Sequence, residues 1–198
     1  MKKTATLLAL LLVSCGVWAQ SARTILDRAA ATVSNASGVE ASFQMITKQG
    51  TTSGQIAVKG SKFHATTPDA SVWFDGKTQW TYMKGNEEVN VSNPTEAELQ
   101  AINPYNFINI YKQGFSLSSR AIGQFYEVHL TPNSKKRAIE EMYIIVDQKT
   151  YHPTHVKMRR KGKWSVILIS QLRSAALSDA IFQFNAKDFP KAEIIDLR

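Results

Sequence analysis

A chain of 198 residues, 43% hydrophobic and 20% charged, is long enough for one domain with a real core. That balance excludes a disordered polymer and a chain dominated by membrane spans. The net charge of +8 admits nucleic acid, anionic lipid or an acidic partner as binding classes. Only Lys135-Lys136-Arg137 and Lys157 to Lys163 cluster, however, and a solvated turn or strand face is the plain reading of both.

Lys2-Lys3 followed by the apolar run Ala5 to Val13 has the form of a signal peptide, too short to span a membrane as a mature helix. Val17-Trp18-Ala19 before Gln20 fits cleavage by an ordinary signal peptidase, which divides the chain into a leader, 1–19, and a single domain, 20–198. Leu12-Val13-Ser14-Cys15 also has the form of a lipobox, which would leave a lipidated Cys15 as the first residue. Cys15 is the only cysteine, so a chain cut after Ala19 has neither a disulfide nor a thiol nucleophile.

From Ser21 to Asn35, Ile25, Leu26, Ala29, Ala30 and Val33 repeat at three- and four-residue spacing, which predicts an amphipathic helix stopped by Ser34 to Gly38. The period then changes to two. Val39, Ala41, Phe43 and Met45 alternate with Glu40, Ser42 and Gln44, and turns at Gln49-Gly50 and Gly60-Ser61 lead into further strands. Ser71 to Val91 carries the strongest local signal. Asp75-Gly76 and Gly85-Asn86 separate three short strands, because Gly and Asn accept the positive φ of tight turns. Trp73, Phe74, Trp80 and Tyr82 fall on the first two of them, and strand alternation must split Trp73 from Phe74.

Asn93-Pro94 and Asn103-Pro104 then read as two helix starts, the second opening Tyr105 to Gln113. That second segment is apolar on nearly every side, which makes it a candidate cover for a cavity. Strands resume over Gln124 to Thr131, Ile139 to Asp147, His152 to Arg160 and Lys163 to Leu172, with one more at Ile181 to Phe184. The expected fold is mainly β (α+β), a single antiparallel, strongly curled sheet of about ten or eleven strands with one leading helix and a helical lid.

Catalytic chemistry is hard to find in this chain. His152 and His155 flank Pro153 and, on a strand, point to opposite faces, which argues against a metal site. Neighbouring Glu140 and Glu141 likewise diverge and cannot work as a carboxylate pair on one substrate. No phosphate loop, His-Glu-x-x-His or Gly-x-Ser-x-Gly motif occurs, and the reading is a non-enzyme without cofactor or metal.

Several stretches resemble the periplasmic outer-membrane lipoprotein carrier family, LolA. They are Ala41-Ser-Phe-Gln44, Gly54-Gln-Ile-Ala-Val-Lys-Gly-Ser-Lys-Phe63, Asp75-Gly-Lys-Thr-Gln-Trp-Thr-Tyr82, Glu88-Val-Asn-Val91, Phe182-Gln-Phe184 and Asp188-Phe-Pro190. The resemblance implies an unclosed β-barrel whose mouth is covered by helices over an apolar cavity. It implies a monomeric periplasmic carrier that takes acylated lipoproteins from an inner-membrane ATP-driven release complex to an outer-membrane acceptor. The cavity would shield acyl chains that cost about 0.8 kcal/mol per CH₂ in water. On this resemblance the candidate wall comprises Phe43, Met45, Phe63, Trp73, Trp80, Tyr82, Met142 and Ile144, and the candidate lid Phe107, Ile108 and Tyr111. Family members usually carry Arg-Pro shortly before the matching Phe, and that Arg is tied to cargo handover. Lys59-Gly60 stands there instead, which makes Lys59 the gating candidate while losing the planar guanidinium fork. A LolB-like outer-membrane acceptor and a binder of another amphiphilic lipid are the alternatives that share such a fold.

Overall fold

The structure, a computed structural model, describes residues 21–34, 37–95, 110–135 and 137–198. The expected leader with Cys15, and the lid positions Tyr105, Phe107 and Ile108, lie outside the described residues. The leading helix α1 spans Ala22–Val33 and buries Ile25, Leu26, Ala29, Ala30 and Val33, the positions its period predicts. Ser21 caps it by accepting from the Thr24 N–H at 3.1 Å, and the Ser34 N–H closes its last turn on the Ala30 carbonyl at 2.9 Å.

Two antiparallel meanders follow. The first runs through β1 (Val39–Thr47), β2 (Gly50–Lys59), β3 (Lys62–Thr66), β4 (Ala70–Phe74), β5 (Gln79–Met83) and β6 (Glu88–Ser92). The second runs through β7 (Phe115–Ile122), β8 (Phe125–Pro132), β9 (Glu141–Asp147), β10 (Pro153–Arg160) and β11 (Lys163–Ser174), and β12 (Glu193–Asp196) ends the chain. β11 pairs with β1, which joins the meanders into one sheet in the order β12-β6-β5-β4-β3-β2-β1-β11-β10-β9-β8-β7. Its two ends, β12 and β7, do not pair with each other, so the barrel is unclosed.

Several details differ from the sequence reading, among them the strand β7, which was not expected. The sheet has 12 strands rather than ten or eleven. β12 runs parallel to β6, an addition to an otherwise antiparallel sheet. Ile181 to Phe184 is not a strand: Asp179–Phe182 forms a 3-10 turn capped by the Ser178 hydroxyl. At Asp75-Gly76 the expected turn forms, with Gly76 at φ 103° and Asp75 Oδ1 accepting from the N–H groups of Lys77 and Thr78. At Gly85-Asn86 the left-handed residue is Glu87, at φ 55°, rather than either expected one.

Strand alternation sorts the side chains onto two faces. Val39, Ala41, Ile56, Val58, Phe63 and Phe74 join α1 in one apolar core with Val128, Leu130, Met142, Ile144, Val146, Val156 and Ile167 from the second meander. The other face carries Lys59, His64, Trp73, Trp80 and Tyr82, since each is the chain neighbour of a residue pointing to the helix side or its cross-strand partner. The chain after β11 crosses this second face before it adds β12.

Candidate functional site

The helix side is the apolar interior. Phe63, Met142 and Ile144 are buried against α1, and Phe63 meets Phe74 with ring centroids 5.6 Å apart. Tyr111, only 1% exposed, closes this core beside α1, where its hydroxyl donates to the Asp27 carboxylate and the Arg23 guanidinium lies 5.9 Å from its ring centre. Burial, and then the Asp27 charge, hold the phenol well above the usual tyrosine range. Beyond α1 the same face continues as a half-buried apolar wall of Phe43, Val72, Leu117, Met158 and Ile169. Phe43 lies across Gly54, where an added Cβ would stand 2.6 Å from the ring and 2.2 Å from the Thr66 carbonyl. Glycine at 54 is therefore what lets the ring lie flat on β2. Met45, at the outer end of the same row, is 38% exposed.

The opposite face is covered by the segment from Leu177 to Phe189. Lys59 donates to the Leu177 carbonyl at 2.9 Å and pairs with Asp179 at 3.0 Å, while Lys62 pairs with the other Asp179 oxygen at 2.9 Å. Those two lysines hold the Asp179 carboxyl below its usual range. Phe182 is fully buried above β3 and β4. Phe184 and Phe189 meet Trp73 edge-on at 5.5 and 5.6 Å, Phe189 reaches Tyr82 at 4.7 Å, and His64 stacks on Trp73 at 5.0 Å. Under this strap lies a cavity of about 1100 Å³ bordered by Gln55, His64, Trp73, Arg173, Phe184 and Phe189. Burial lowers the His64 pKa, so its imidazole is neutral at neutral pH.

The sequence candidates thus divide. Phe43, Met45, Phe63, Tyr111, Met142 and Ile144 share the helix side; Trp73, Trp80, Tyr82 and Lys59 share the strap side. Phe107 and Ile108 lie outside the described residues. The site candidates did not include Val72, Leu117, Met158 and Ile169 on the half-buried wall, or Asp179, Phe184 and Phe189 on the strap. Alternation along β4, β7, β10 and β11 would have found the wall residues once one inward position was fixed.

Glu140 and Glu141, expected to diverge, converge on one guanidinium: Arg159 lies 3.2 Å from Glu140 and 3.4 Å from Glu141. Glu141 also accepts from the Tyr143 hydroxyl at 2.7 Å and sits 3.2 Å from His129. Such saturation makes Glu141 a structural hub on the sheet surface rather than a free base. Among the described residues no group of three or more His, Cys, Asp or Glu could hold a metal ion.

The fold class is an unclosed β-barrel with an apolar interior and one helix packed on it, and comparison with known proteins gives the family. The sequence pattern of the family described as outer membrane lipoprotein carrier protein LolA matches residues 12–163, and the chain belongs to that family. Residues 164–198, with the strap and β12, fall beyond the matched stretch. An uncharacterized conserved protein from Thermus thermophilus superposes with a TM-score of 0.62 at 13% identity, over 89% of this chain and 99% of that one. A LolA superfamily protein from Nitrosomonas europaea gives 0.47 at 12% identity, over 84% of this chain and 99% of that one. A putative outer membrane lipoprotein-sorting protein domain from Vibrio parahaemolyticus gives 0.45 at 13%, over 80% and 94%. Among curated proteins no sequence matches. At these identities the likeness to the Thermus protein is one of fold.

Proposed function

We propose that the chain is a non-enzymatic periplasmic carrier that holds the acyl chains of lipoproteins against the helix-side wall and moves them from the inner to the outer membrane. The observation that carries this reading is the wall itself. Phe43, Val72, Leu117, Met158 and Ile169 extend the apolar core past the cover of α1, and they are only half-buried. A 12-residue helix is about 18 Å long, short against a sheet of this width. Family membership supports the same reading. Each CH₂ removed from water at this wall contributes about 0.8 kcal/mol to holding the cargo.

In this reading residues 1–19 are the export leader and 20–198 the carrier domain, acting as a monomer. Phe107, Ile108 and Tyr111 are the lid residues of this reading. Its partners are an inner-membrane ATP-driven release complex and an outer-membrane acceptor. Lys59 acts through the strap, which it holds by Asp179, rather than on the helix side. Incubating the purified mature protein with inner-membrane vesicles bearing a tagged lipoprotein tests the proposal. Release of the tag into the soluble fraction with the carrier is the expected result; tag retained in the membrane overturns it.

The departure at Lys59-Gly60 favours a second reading, a LolB-like acceptor or a binder of another amphiphilic lipid, because the charge at that position is engaged on the far face. The mass of the mature protein separates these: diacylglycerol on Cys15 marks the acceptor, and a Gln20 terminus with a bound phospholipid or glycolipid marks the lipid binder.

A further inference from the structure

The end of the sheet where β1 turns into β2 and β10 into β11 combines exposed apolar and basic side chains, outside both covered faces. Ile46 pairs with Val166, so Lys48 in the β1–β2 turn and Trp164 near the start of β11 lie at the same end of the sheet. Trp164 is 43% exposed and Ile46 37%, and the two share one face of the sheet end. Beside them, Tyr143, Lys157, Trp164 and Val166 border a shallow groove of about 420 Å³.

The charge balance here is one-sided. Arg159 is used up internally: Glu140 and Glu141 hold it, and its guanidinium lies 5.6 Å from the centre of the Trp164 ring, which keeps that ring in place. Glu127 is likewise neutralised by Arg120 at 2.6 Å. The nearby carboxylates are thus matched, and Lys48, Lys157, Lys161 and Lys163 have no acidic partner within ion-pair distance among the described residues. Lys161 and Lys163 flank Gly162 at the tip of the β10–β11 hairpin, where their side chains reach outward. Unmatched lysines around an exposed indole and an exposed isoleucine suit one surface above others. Anionic headgroups attract the ammonium groups, tryptophan is stable at the headgroup level, and the isoleucine side chain gains from leaving water. An acidic protein or a nucleic acid would meet the lysines but leave Ile46 unrewarded.

We infer that this hairpin end is a peripheral docking surface for an anionic lipid bilayer, with Trp164 and Ile46 entering the headgroup layer and Lys48, Lys161 and Lys163 pairing with lipid phosphates. The docking is independent of what fills the interior. It predicts binding that weakens with added salt, since exposed charges are screened within about 8 Å at physiological ionic strength.

Flotation of the purified protein with vesicles of phosphatidylglycerol and phosphatidylethanolamine, against vesicles of phosphatidylcholine, tests the inference. The protein is expected to float with the anionic vesicles only. Lys161→Glu with Lys163→Glu is expected to weaken that binding at least about tenfold, with an unchanged melting temperature because both residues are exposed at a turn. Trp164→Phe, read in parallel, should abolish a blue shift of tryptophan emission on anionic vesicles. Equal binding to neutral vesicles, binding insensitive to the double reversal, or no binding to either vesicle overturns the proposal, the last also if an acidic protein is captured instead.

Discussion

Lys59 and Asp179 form an ion pair of 3.0 Å between the end of β2 and the start of the strap, on the face of the sheet that α1 does not touch. Lys62 takes the second carboxylate oxygen, so one acid ties two strands to the C-terminal segment. Because the lysines hold the Asp179 pKa below its unfolded value, the stability it contributes is present above about pH 4 and lost as pH falls through the folded pKa. Asp179→Asn is expected to speed proteolysis within residues 175–190 at neutral pH and to remove the acid dependence of that cleavage. Limited proteolysis between pH 3 and 7, as a rough window around the carboxylate range, measures both.

Phe182 locks the same strap from below. Its ring is wholly buried, so Phe182→Ala is expected to cost about 3–5 kcal/mol. Urea unfolding followed by far-UV dichroism gives the cost. Changed tryptophan emission before global unfolding would report that Trp73 is uncovered first, since Phe184 and Phe189 rest on it.

Tyr111 ties the end of the segment before β7 to α1. Removing its hydroxyl in Tyr111→Phe leaves the exposed Asp27 carboxylate to water and is expected to destabilise by about 0.5–1.5 kcal/mol in thermal or urea unfolding. Its phenol has a folded pKa raised by burial and by Asp27, so the contribution is full below about pH 10 and falls as pH rises beyond it. The phenylalanine variant should therefore lose less stability than the parent between neutral and strongly alkaline pH, measured by urea midpoints.

Gly54 controls the site wall through Phe43. A methyl group there would collide with the Thr66 carbonyl at 2.2 Å and with the Phe43 ring, and the carbonyl is backbone that cannot swing away. Gly54→Ala is expected to cost on the order of 1–3 kcal/mol and to lower cargo retention as the ring is displaced. Phe43→Ala should lower retention while leaving β2 intact. The comparison of the two, by urea unfolding and by lipoprotein release, separates strain from lost contact.

Much of the architecture was legible because each element obeyed one period. α1 showed its buried stripe, and β1 to β6 alternated between recognisable turns. β7 escaped because it is an edge strand: after Phe115 and Leu117 come Ser118, Ser119, Arg120, Ala121 and an exposed Ile122, so no apolar–polar alternation survives. Phe182-Gln-Phe184 read as a strand for the same reason reversed. Its two aromatics at a spacing of two mimic a strand pattern, yet a 3-10 turn sends Phe182 under the strap and leaves Phe184 beside Trp73. The candidate site was legible only by residue type. Alternation separated Trp73 from Phe74 but could not say which side held α1. Both are buried, one by the core and one by a strap more than 100 residues away in sequence, as the Lys59 contact to Leu177 over 118 residues illustrates.

The mass of the native protein purified from its own cells tests the central claim most directly, with a Phe43→Glu variant measured beside it. The account predicts a mature chain carrying an acylated lipoprotein, an adduct that is lost or strongly reduced when a carboxylate replaces the Phe43 ring in the half-buried wall. A chain free of acylated cargo, or a lipoprotein adduct that survives Phe43→Glu unchanged, would contradict it.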